Sequence, residues 1–163
     1  MKLKTKRLTK SVLIVACSTL VSTSINAVNA EESLSKESGV VTDVATGLQW
    51  QDEFENNDGT GEFGSYDEGV AYCAVLSLDG HEDWRMPTQE ELLSIVDKSR
   101  EPHDEPVINK VFENVLTDEA YLSSTNYEDD EETVWTVDYT YGDSTDVALT
   151  WSDGYYIRCV RTL

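Results

Sequence analysis

Nucleophilic catalysis needs a serine, cysteine or similar group with a base in hydrogen-bond reach. This sequence holds little to build one from. Its histidines are His81 and His103, and no Gly-x-Ser-x-Gly elbow occurs. His81 lies eight residues from Cys73, but that cysteine has a better-matched partner, described below. The chain has 32 acidic residues among 163, so chance carboxylate pairs are certain and acid–base chemistry leaves no readable signature. No catalytic residue is singled out. Metal patterns are equally incomplete. Asn56, Asp58 and Gly59 occupy the third, fifth and sixth places of a calcium loop, but Phe54 at the first and Ser65 at the twelfth break it. The acidic run 128–132 includes Asp129, Asp130 and Glu131, which are weak calcium candidates; such runs are more often solvated loops.

Two other constellations carry possible function. Trp151, Asp153, Tyr155 and Tyr156 surround the turn Ser152-Asp153-Gly154, where exposed rings would make a stacking surface for a sugar or a protein. Trp135 and Tyr139, a little upstream, are expected in the core. The stretch Asp83-Trp84-Arg85-Met86-Pro87-Thr88 reads either as an arginine gripping an anion or as a structural corner. The corner fits better: Trp84 packs in the core, Arg85 pairs with a carbonyl or carboxylate, and Pro87 and Thr88 start a helix.

The elements that must position these groups follow from periodicity. Residues 31–39 are polar and aperiodic, a short leader. Strand, turn and strand over residues 40–51 predict a hairpin, and residues 52–64 a loop rich in Gly, Asn and Asp. Ser65 with Glu68, and Thr88 with Glu91, have capping-box spacing and predict two helix starts. The first helix places Cys73 on its buried stripe. Ile108, Val111, Phe112 and Val115 have i, i+3, i+4, i+7 spacing and predict a third short helix. From Tyr121 the period changes to two, predicting strands near 121–125, 133–139, 146–151 and 155–161, the last two joined as a hairpin. The expectation is an α+β fold: an N-terminal hairpin, two or three helices, then a mainly antiparallel strand meander.

The first thirty residues read as a signal peptide. Lys2, Lys4, Lys6, Arg7 and Lys10 precede an apolar stretch over residues 11–25, and small residues end at Ala30. A competing reading makes Cys17 the lipidated N-terminus of a membrane-anchored lipoprotein. With cleavage after Ala30, residues 40–163 form one domain that is periplasmic or extracellular. Five of the 12 basic residues and none of the acidic ones lie in the leader, so the remainder carries seven cations and 32 anions, a net charge of −25. Such a surface repels nucleic-acid backbones, sulfated polysaccharides and anionic lipid heads. It also leaves two cysteines, Cys73 and Cys159, expected to form one disulfide in an oxidising compartment. That bridge would tie the first helix to the last strand.

A set of ordered motifs resembles one bacterial module. They are Thr46-Gly47-Leu48-Gln49-Trp50, Ala71-Tyr72-Cys73-Ala74-Val75-Leu76, the Asp83–Thr88 corner with Glu91-Leu92, Tyr121-Leu122-Ser123-Ser124-Thr125, Trp135-Thr136-Val137-Asp138-Tyr139, and Ile157-Arg158-Cys159-Val160-Arg161. Together they resemble the C-terminal domain family of the Legionella collagen-like adhesin (Lcl), over about residues 40–163. The resemblance implies a C-type-lectin-like fold, an exported or surface location and a binding role, which in the adhesin itself is trimeric recognition of sulfated glycosaminoglycans. The sequence here has no Gly-X-Y repeat, and its charge opposes a polyanionic ligand. The calcium-lectin motifs are also broken: Glu101-Pro102-His103 and Glu105-Pro106-Val107 replace one, and Trp151-Ser152-Asp153 approximates another. The expected function is therefore a non-catalytic, adhesin-type module binding a neutral glycan or a protein, with no cofactor beyond a weak calcium possibility. The alternatives are a surface enzyme using carboxylates, or a lipoprotein with a structural role in the envelope.

Overall fold

The computed structural model describes residues 33–54, 61–100, 105–128, 130–149 and 154–163. The described residues form two mainly antiparallel sheets and two short helices. The first sheet contains β1 (Leu34–Glu37), β2 (Val40–Asp43), β3 (Leu48–Gln51) and β9 (Val160–Thr162), in that order. The second contains β4 (Glu62–Gly64), β8 (Tyr155–Ile157), β5 (Tyr121–Tyr127), β6 (Asp130–Asp138) and β7 (Asp143–Ala148), again in spatial order. Among the described residues no helix is long and apolar enough to cross a membrane.

Local chemistry sets the starts and turns. α1 (Tyr66–Val75) and α2 (Gln89–Ser94) each begin with the expected capping box, Ser65 with Glu68 and Thr88 with Glu91. The 40–51 hairpin forms with Val41 opposite Trp50. The supposed leader contains a strand, β1, on the outer edge of that sheet. Ser38 (φ 49°) and Gly39 (φ 75°) make the two-residue turn into β2, both in the left-handed region that such hairpins require.

Both faces of the central strands are buried. Val41, Tyr121, Val137, Tyr156 and Val160 belong to one apolar cluster, while Val40, Leu122, Val134, Ile157 and Cys159 belong to the other. Successive residues point to opposite faces, so each strand feeds both clusters. Trp135, expected in the core, is half-buried against Tyr127 at a ring distance of 5.1 Å.

Two expected elements are corrected. The third helix is absent: residues 107–116 form an irregular segment, though Ile108 and Phe112 are buried as their spacing required. Tertiary acceptors hold the segment, and Asp52 takes amides that a helix would have bonded internally. Val107 N–H bonds Tyr139 O (2.7 Å), Asn109 N–H bonds Ile95 O (3.2 Å), and Glu113 N–H bonds the Asp52 carboxylate (2.9 Å). Residues 155–161 are not one strand paired with β7. They split into β8 and β9, which lie in different sheets, and β7 is on the far edge from β8.

Candidate binding site

The Trp84 corner is fully occupied with structure. The Trp84 indole is buried and donates to His81 O (3.2 Å). The Arg85 backbone pairs with Val160 in both directions at 2.9 Å, tying the corner to β9. Its guanidinium holds Glu91 through two bonds of 2.7 and 2.6 Å and reaches Met86 O at 3.2 Å. Arg85 in turn keeps the Glu91 carboxyl below its ordinary range. Pro87 O accepts from Ser124 N–H (2.7 Å), and Thr88 caps α2. His103 lies outside the described residues, as do Asn56, Asp58 and Cys17.

Cys73 and Cys159 form a disulfide, with Cα atoms 5.6 Å apart and both residues buried. Neither is therefore a free thiol nucleophile.

Beside that junction lies a charged centre that the pattern reading passed over. Arg158 is fully buried at the switch between sheets. Alternation forces this placement: Tyr156 and Val160 face the first cluster, so residue 158 faces it too. Its guanidinium donates to Gln51 O (2.6 Å), Asp52 Oδ1 (2.9 Å) and Asn114 O. The rings of Phe54, Phe112 and Tyr121 surround it at 5.1–5.5 Å. Burial opposes its charge, but Tyr121 and Asp52 outweigh that and leave its pKa raised. Asp52 also accepts from Lys36 Nζ (2.6 Å) and from the Glu113 and Asn114 amides (2.9 and 3.3 Å). An open recess of 360 Å³ lies over this network, lined by Lys36, Ser38, Gly39, Asp52, Glu53 and Asn114. Both Asp52 oxygens are saturated by these donors, so the floor of the recess serves the fold. The sequence signal for this centre was a charged residue inside an alternating strand next to a buried cysteine.

The aromatic end of the molecule divides in two. Trp151 and Asp153 lie outside the described residues. Tyr156 is buried, with its ring 5.4 Å from both Tyr121 and Phe63 and its hydroxyl donating to Asp118 at 2.6 Å. Burial, and then the Asp118 bond, raise its pKa. Tyr155, next along the strand, faces the other way and packs on the second cluster. There it lines a small depression with Ser65, Tyr66, Leu122, Val147, Ala148 and Leu149. The two tyrosines therefore do not share a surface. The residues beside Tyr155 come from the start of α1, from β5 and from the end of β7.

The described end of the acidic run, Asp130 to Glu132, opens β6. Asp130 accepts from Glu132 N–H and Thr133 Oγ1, each at 2.9 Å, and Glu131 is exposed. Asp129 is outside the described residues, and among those described no three His, Cys, Asp or Glu side chains gather to hold a metal ion.

Two sheets joined by one alternating C-terminal segment, with a helix clamped to it by a disulfide, make up a small α+β domain. A model of the Lcl C-terminal domain matches residues 39–161, and the chain belongs to that family. No curated protein matches the chain.

Proposed function

We propose that this chain is an exported, non-catalytic binding module with a C-type-lectin-like fold. Its ligand is a neutral glycan or a protein, met at the Tyr155 side of the second sheet. The observation that carries the reading is the depression that Tyr155 and Tyr66 line together with Ser65. It is a dimple of about 10 Å³ that does not enclose a ligand; its tyrosine and serine groups offer a surface on which a sugar face or a protein side chain would stack. Trp151 and Asp153, close before Tyr155 in sequence, stay ligand-binding candidates on their residue types alone. Family membership supports a binding role, and pairing of β3 with the last strand, β9, supports the lectin-like architecture.

The charge of −25 on the exported form sets the ligand class against sulfated chains. Where carboxyl pKa values shift, at Glu68, Asp83, Glu91 and Asp97, they are lowered by hydrogen bonds and cations. That suits capping and ion pairing better than proton donation. We assign no cofactor, with Asp129, Asp130 and Glu131 the place to look for weak calcium binding. Export by the N-terminal signal, or anchoring through Cys17, completes the proposal.

The test is a glycan array and a surface-protein binding screen with the oxidised chain and its Tyr155→Ala variant. Selective binding to neutral glycans or to a protein, lost in the variant, is the expected result. Equal binding by both proteins would move the site elsewhere.

A further inference from the structure

We propose that the Cys73–Cys159 disulfide acts as a latch for α1 alone, not as a staple of the whole domain, and that it thereby holds one wall of the ligand site. The second part rests on the placement of that site between Tyr66 and Tyr155.

α1 has little apolar surface with which to dock itself. Of its ten residues only Gly69 and Cys73 are buried, and Val75 is 80% exposed. Gly69 serves a close approach: a Cβ there would lie 3.0 Å from the Ile157 side chain and 3.2 Å from Met86 Sδ. The centre of the buried stripe is therefore bare backbone followed by a bonded sulfur. Tyr66, Tyr72 and Leu76 are only partly buried around it. A bond from Gln51 Nε2 to Tyr72 Oη (2.6 Å) adds a polar tie. A helix of ten residues is marginal in water without tertiary support, so the crosslink supplies most of what keeps α1 in place.

The sheets do not depend on the latch in the same way. Arg158 joins the first sheet to the 112–116 segment through Gln51, Asp52 and Asn114. Gln51 N–H bonds Cys159 O (2.9 Å), and Cys159 N–H bonds Gln51 Oε1 (3.2 Å), through backbone and side chain that remain when sulfur is removed. Arg85 and Val160 pair independently. Without the crosslink α1 swings off as a unit. It carries away Ser65 and Tyr66 and uncovers Met86 and Ile157, while both sheets remain folded.

The experiment is residue-resolved hydrogen exchange on the oxidised chain and on its Cys73→Ala/Cys159→Ala variant, with no ligand present. We expect α1 amides in the variant to retain less than about tenfold protection while β3, β5 and β6 retain at least about a thousandfold. If α1 keeps protection within about tenfold of the strands, the latch is refuted. If the strands lose protection together with α1, or the variant does not fold, the disulfide is a global staple and the proposal is again overturned. Because the readout needs no ligand, its outcome is independent of where the ligand binds.

Discussion

Replacing Arg158 with methionine tests the charged centre. The substitution keeps a long apolar side chain among Phe54, Phe112 and Tyr121 but removes every guanidinium donor. Gln51 O and Asn114 O then lose a buried partner, and Asp52 keeps Lys36 and two backbone amides but not its fully buried cation. Each orphaned carbonyl costs about 1–3 kcal/mol, and breaking a buried ion pair costs about 3–5 kcal/mol, part of which Lys36 offsets. The two costs overlap and Lys36 offsets part of the second, so a loss of at least about 4 kcal/mol is expected. Equilibrium urea unfolding with the disulfide intact measures it. Lys36→Met, removing a cation that is 19% exposed, should cost only about 1 kcal/mol. Arg158→Lys should still lose at least about 2 kcal/mol, because an ammonium cannot reach two carbonyls and a carboxylate in the same fork. An Arg158→Met loss under about 1 kcal/mol would instead mean that the pair only offsets its own desolvation.

Four further outcomes are expected. Tyr139 is buried with its hydroxyl on Leu92 O (3.0 Å), and burial raises its pKa above the ordinary 10.0. Its contribution is present below pH 10 and lost as pH rises, so Tyr139→Phe should flatten the alkaline limb of a stability-against-pH curve. Glu91, held low by Arg85, has the opposite sign: its contribution holds above its ordinary 4.5 and is lost as pH falls below it. In acid titrations followed by thermal melts, Glu91→Gln should remove this limb, an effect below about 1 kcal/mol because the pair is partly exposed. Gly142→Ala should destabilise by about 1–3 kcal/mol in urea melts, since φ is +74° and a Cβ would sit 2.8 Å from Val96 and 2.9 Å from Val107. Thr88→Ala should cost about 1 kcal/mol by the same assay, through loss of the α2 cap.

Local chemistry was legible in the sequence. The two capping boxes, the 40–51 hairpin and the Cys73–Cys159 pair are each carried by a few adjacent or uniquely available residues, and the structure has all of them. Tertiary competition hid the rest. The helical spacing of Ile108 and Phe112 gave their burial correctly, but the Asp52 carboxylate claimed the Glu113 and Asn114 amides that a helix would have bonded to the carbonyls four residues back. Alternation over residues 155–161 signalled extended chain, yet could not say that its two ends join different sheets. The same blindness placed Tyr155 and Tyr156 together as ligand contacts, although neighbours in a strand face apart. Ser38 and Gly39 offered a turn signal, masked by the polar residues around them.

The central claim is that the Tyr155 side is a ligand surface. Amide and aromatic chemical-shift mapping of the oxidised chain, titrated with a panel of neutral and sulfated oligosaccharides, tests it most directly. Shifts clustered at Ser65, Tyr66 and Tyr155 are expected with neutral members, and none with sulfated ones. Shifts confined to the recess of Lys36, Ser38 and Asn114, or driven by the sulfated members, would contradict it.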